Sequence, residues 1–180
     1  MTGKIYLDDA LMQLKKYKHL VEAAVSQVTD YQLFEHVDRE NNSIAIIMKH
    51  MAGNMVSRWT DFLTTDGEKN RERDLEFERE ESDTKESLIK RWDNAWDITL
   101  NTISNLNEDD LQKTVYIRKE PHLVLEAINR QLTHYAYHVG QIVFLARYFA
   151  GNSWKSLSIP RGKSKEYEVA RNGIKYKPEK

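Results

Sequence analysis

Apolar side chains return every three or four residues from the start of the chain: Ile5, Leu7, Leu11, Leu14, Tyr17, Leu20, Val21, Ala24, Val25 and Val28. On a helix that spacing draws one apolar stripe, so it predicts an amphipathic helix over about residues 4–29. The polar stretch "TDYQLFEHVDRENN" breaks it. A second helix starts after Asn42 or Ser43, either of which can cap it. It carries Ile44, Ile47, Met48, Met51, Met55, Trp59 and Phe62 and runs to about Thr64. A third opens on Asp83-Thr84-Lys85-Glu86, an Asp-x-x-Glu start, and carries Leu88, Ile89, Trp92, Trp96, Ile98, Leu100, Ile103 and Leu106 to about Asn107.

The run Thr114 to Ile117 is β-branched and aromatic enough to be extended. It leads to Pro121, a good first-turn residue for a fourth helix that Gly151 ends. That helix covers about 121–150, roughly 45 Å long. Beyond it lie a loop, a short helix near Ser164–Arg171 and a polar tail. Between helices two and three, "TTDGEKNRERDLEFEREESDTKE" is dense in charges of both signs. It reads first as a solvated loop over about 66–86; the sharper reading has Arg71, Arg73 or Asp74 folding back over a site. Four long helices predict an all-α four-helix bundle. The long connections after helices two and three suggest that at least one of them crosses over. The whole chain, 1–180, reads as one domain, with a bundle to about 150 and a loop and tail beyond.

Composition narrows the possibilities. The chain has 180 residues and no cysteine, and 27 basic against 28 acidic residues leave a formal net charge of -1. Without a basic excess a nucleic-acid surface is not expected. No apolar run approaches a membrane span and the start has no apolar signal block, so a soluble, cytoplasmic protein is expected. Without thiolates, any metal must be held by nitrogen and oxygen, and any thiol chemistry needs a sulfur brought by a substrate.

The candidate chemistry lies in "QLTHYAYHVGQIVFL". His134 and His138 stand four apart, on one helix face, where both rings can address one point. Two buried imidazoles without partners are costly. Helix two supplies His50 midway along its length, and mid-helix residues of different helices can meet inside a bundle. Three histidines with open positions suit a reactive metal more than a closed structural one. Other metal templates fail: Tyr135 stands where a zinc protease has its glutamate, and no histidine has Glu three residues before it. Asn54, Gln131 and Gln141, each within a turn of a histidine, are candidates to orient a ligand or water, or simply to bond between helices. Arg161 and Lys163 in "SIPRGKS" could clamp a carboxylate or phosphate, although an ordinary exposed loop is the plainer reading. His19, His36 and His122 read as ordinary residues of a polar helix face, a loop and a helix start.

Through "IAIIMKHMAGNMVSRWTDFLTTDGEKNRERDLEFE", "INRQLTHYAYHVGQIVFLAR" and "LSIPRGKS", the chain resembles the DinB/YfiT-like metal-dependent proteins, and within them a subfamily described as of unknown function. The resemblance implies a four-helix bundle, a divalent metal such as nickel or zinc on His50, His134 and His138, and packing as a homodimer. Some relatives use the metal to activate a low-molecular-weight thiol. Two functional readings follow. One is an enzyme that transfers such a thiol to a small electrophile or hydrolyses a small substrate. The other is a non-enzymatic metal-binding or interaction bundle.

Overall fold

In the computed structural model, which describes residues 2–69, 71–170 and 173–176, with side chains as far as Glu166, four long helices carry the apolar stripes. They are α1 (Thr2–Val25), α3 (Ile44–Trp59), α4 (Lys85–Ser104) and α5 (Val124–Ala150), with a single-turn-and-a-half α2 (Asp30–Phe34) after α1. α1 stops at Val25, before the apolar pattern ends, and Val28 turns inward from the following turn. Thr29 then caps α2 inside the stretch expected to be only a breaker, its hydroxyl accepting Gln32 N–H while Gln32 returns the bond.

Ser43 is the cap of α3. That helix ends at Trp59, five residues before the expected Thr64, and Asp61 turns the chain with φ 49°. α4 is capped by Thr84 in a reciprocal pair with Ser87, not by Asp83 with Glu86. Asp83 is instead buried between Lys49 Nζ at 3.0 Å and Arg91 Nη1 at 3.0 Å. Two cations outbid one helix end for this carboxylate.

α1 packs on α5 and α4, and α3 on α4 and α5, so α1 and α3 stand on one diagonal of the bundle and α4 and α5 on the other. The crossings therefore fall between α1 and α3 and between α4 and α5, whereas the long charged connection joins neighbours. Trp59, Trp92, Trp96 and Tyr135 fill the centre. Trp59 Nε1 donates to Tyr135 Oη at 3.0 Å, and that hydroxyl donates to Asn54 Oδ1 at 3.3 Å.

The extended run is strand β1 (Thr114–Ile117), paired antiparallel with β2 (Glu120–Leu123). Pro121 therefore lies in a strand and not in the first helical turn, and His122 lies with it. α5 starts at Val124 without a side-chain cap from the preceding residue. Lys113 C=O accepts Val124 N–H, and Glu126 reaches back to Leu123 N–H. The helix is 27 residues long, about 40 Å, and Gly151 ends it with φ 53°.

Arg118 and Lys119 turn the hairpin, both with positive φ (54° and 65°). Two-residue hairpin turns need that backbone, usually from Gly or Asn. Here Asp66 compensates, accepting the Arg118 N–H at 3.0 Å and the Lys119 N–H at 2.7 Å. After α5 the expected helix near Ser164–Arg171 is one 3-10 turn (Ser164–Glu166). It leads into β3 (Tyr167–Ala170), which pairs with β4 (Gly173–Tyr176); Arg171 itself lies outside the described residues. Among the described residues no helix is long and apolar enough to cross a membrane.

Tyr135→Phe leaves the buried Trp59 N–H without its acceptor. It should cost about 1–3 kcal/mol of folding stability, read from a lowered urea midpoint at unchanged helical circular dichroism. An unchanged midpoint would show that the bond contributes nothing net.

Backbone hydrogen bonds from Glu68 and Lys119 hold the Asp66 carboxyl below its ordinary range. A carboxyl depressed by folding contributes stability above the unfolded value, and that contribution is lost as pH falls through the lowered one. Amide protection at Arg118 and Lys119 should therefore persist down to about pH 5, fade in acid, and be absent at neutral pH in Asp66→Ala, as read by hydrogen exchange.

Candidate metal centre

α3 is buried on nearly every side, yet His50, Asn54, Ser57 and Arg58 line one edge of it and are all buried. Opposite, α5 presents Gln131, Tyr135 and, half-buried, His134 and His138. Ala136 faces solvent and Tyr135 takes the core position. Nitrogen atoms of His50, His134 and His138 lie within 4.8 Å of one another. The Nε2 atoms of His134 and His138 are 3.1 Å apart, close to the roughly 3.3 Å that two imidazoles make on a tetrahedral ion at 2.0–2.1 Å.

The rings are aimed by their other nitrogens. His138 Nδ1 donates to Gln141 Oε1 at 2.8 Å, so its Nε2 is left as a lone pair. His50 Nδ1 meets Glu76 Oε2 at 3.0 Å. Arg71 Nη2 also approaches that nitrogen, at 3.3 Å, but it is itself a donor, so the Nδ1 proton goes to the carboxylate and His50 Nε2 faces the centre. A carboxylate behind His50 and an amide behind His138 are the kind of partner that orients metal-binding histidines. Arg71 holds Glu76 in turn, Nε to Oε1 and Nη2 to Oε2, both at 2.5 Å, and Phe77 packs its ring 4.7 Å from that of His50. Burial alone would raise the Glu76 carboxyl, but the bonds from His50 and Arg71 outweigh it and bring it below its usual range.

Burial, then the neighbouring His138, His50, Arg71 and Arg58, pushes His134 down to about 3, and burial also lowers His138 despite its bond to Gln141. Both rings are thus neutral at physiological pH, the form that ligates a metal. His134 Nδ1 and Gln131 Oε1 are buried and without hydrogen-bond partners, three residues apart on one helix. Three convergent imidazoles, two of them with backing acceptors and the His134 and His138 pair already at ligand spacing, fit a divalent ion.

The other expected residues divide. Gln141 serves His138; Asn54 is engaged by Tyr135; Gln131 and Asn54 both line the cavity beside the histidines. Arg161 is exposed after α5 and does not line it, and Lys163 pairs with Glu166. Of the three residues suggested to fold back, Arg71 covers His50 and Arg73 lines the cavity, whereas Asp74 only opens the 3-10 turn that carries Glu76.

Glu76 and Gly53 escaped sequence reasoning. The glycine was the available signal, a lone one inside an apolar helix, which marks close approach. A Cβ at Gly53 would fall 2.1 Å from Glu76 Oε1, so only glycine lets the carboxylate lie across α3 to reach His50.

The architecture is an all-α bundle, as in DinB/YfiT-like domains. The chain belongs to the family described as "Protein of unknown function (DUF1572)", whose model matches residues 1–163. No curated protein matches the chain.

Gly53→Ala should displace Glu76 and weaken zinc binding about 10–100-fold, as should Glu76→Ala, measured by competition with a chromophoric chelator. Undiminished affinity in both variants would show that the carboxylate does not support the ring.

Proposed function

We propose that the chain is a divalent-metal-dependent enzyme of small molecules, with His50, His134 and His138 holding zinc or nickel. The supporting observation is the convergence of three imidazoles, one backed by Glu76 and one by Gln141, at the edge of a cavity of about 440 Å³. Imidazole ligands add no charge, so a bound ion would keep its own and supply Lewis acidity for activating a thiol or a water near neutral pH. The reaction class is transfer of a low-molecular-weight thiol to a small electrophile, with hydrolysis of a small substrate as its nearest relative. Glu76 keeps the His50 proton on Nδ1, Gln141 does the same for His138, and Tyr135, fully buried beside His134, closes one side of the site to water.

A second reading rests on the outer side of α5, where Tyr137, at the rim of the cavity, Phe144 and Tyr148 are exposed at 63%, 69% and 61%. Those aromatics favour an interaction surface, which a homodimer would cover.

Elemental analysis of protein made without a histidine tag should find near one zinc or nickel per chain, and almost none in His134→Ala with the fold intact. Turnover on a panel of small thiols with electrophilic acceptors, and of esters, should disappear in the same variant. A parent chain that stays empty after incubation with either metal would overturn the reading.

A further inference from the structure

The cavity that reaches His50 and His134 is walled on its other side by five arginines, Arg58, Arg71, Arg73, Arg118 and Arg130, with Glu68 as the one carboxylate lining it. Arg71 is committed to Glu76. Glu68 is shared thinly among three of the others, 3.2 Å from Arg118, 3.7 Å from Arg58 and 3.9 Å from Arg73. Arg130 has no ion pair among the described residues.

The informative group is Arg58. Its residue is 3% exposed, and its Nε and Nη1 are buried without a hydrogen-bond partner. Gly67 leaves room for the guanidinium, since a Cβ there would come within 2.6 Å of Nη1. A guanidinium stays charged in a protein, and burying one with unmet donors is unfavourable unless something else supplies the acceptors. Excess positive charge in a partly enclosed pocket focuses the field on an anion.

We propose that Arg58, Arg118 and Arg130 form an anion subsite. It receives a phosphate group or a pair of carboxylates, about two negative charges in all, on a small molecule whose other end reaches the histidines. The fork geometry of arginine matches both oxyanions. That the anion belongs to the substrate rests on the metal-enzyme reading above; that the pocket binds an oxyanion does not.

The test is calorimetric titration of inorganic phosphate and, separately, succinate into the metal-free full chain, at an ionic strength held constant with sodium chloride. One probe or both should bind saturably at one per chain, and the tighter one identifies a phosphoryl or a carboxylate ligand. Arg130→Gln, at an exposed position, should weaken binding about tenfold or more, and Arg58→Lys likewise if it folds, while zinc content after loading stays at the parent level. His138→Ala, outside the cavity lining, should lose zinc and keep the anion. Failure of both probes to bind below roughly 10 mM would overturn the subsite, as would equal binding in Arg130→Gln. Anion binding in a parent chain that takes up no metal would uphold the subsite and sink the enzyme reading instead.

Discussion

The Glu76 carboxylate, lying across α3 at Gly53, is the contact through which a charged connection becomes part of a site. It accepts from His50 on one side and from both arms of the Arg71 guanidinium on the other. Buried ion pairs seldom stabilise a fold outright, because desolvation offsets their attraction. Here both carboxylate oxygens are satisfied and Arg71 also donates to the His50 carbonyl, so the local network is closed by hydrogen bonds. The result is a fixed ring orientation and a wall over the histidines, with stability a secondary matter.

The rest of the connection is held by similar means. Lys49 and Arg91 share Asp83 at its end, Ser57 donates to the carbonyls of Gly67 and Glu68, and Asp66 caps the strained turn of the β1–β2 hairpin. Each anchor joins the loop to α3, α4 or the hairpin, and the hairpin in turn spans the diagonal from α4 to α5. Residues distant in sequence thereby line one cavity: Arg58 from α3, Glu68 and Arg73 from the connection, Arg118 from the hairpin and Arg130 from α5.

That cavity also explains the polar edge of α3. A helix buried on nearly all sides normally carries apolar residues throughout, and each buried polar group lowers stability unless it is partnered. His50, Asn54 and Arg58 recur at intervals of four, which makes a continuous polar line facing α5, where Arg130, His134 and His138 recur at the same interval. Two facing ladders of histidine and arginine in an apolar bundle are a cost that chemistry justifies more readily than packing.

The sequence alone determined the helical class, the four long helices and the shared face of His134 and His138, and it offered His50 as their candidate partner. Apolar periodicity and the i,i+4 spacing are local, and local geometry turns them directly into faces. It determined Gly151 as one boundary and Asn42 or Ser43 as another, and the structure selects Ser43. Only the tertiary structure decided that Asp83 serves Lys49 and Arg91 while Thr84 caps α4, that Pro121 lies in a strand, and that the turn at Arg118 and Lys119 is tolerable because Asp66 accepts its amides. It alone brought Glu76 to His50 and gathered the arginines. These depend on contacts between residues far apart in the chain, and a charge run looks the same in sequence whether water or a buried imidazole is its partner.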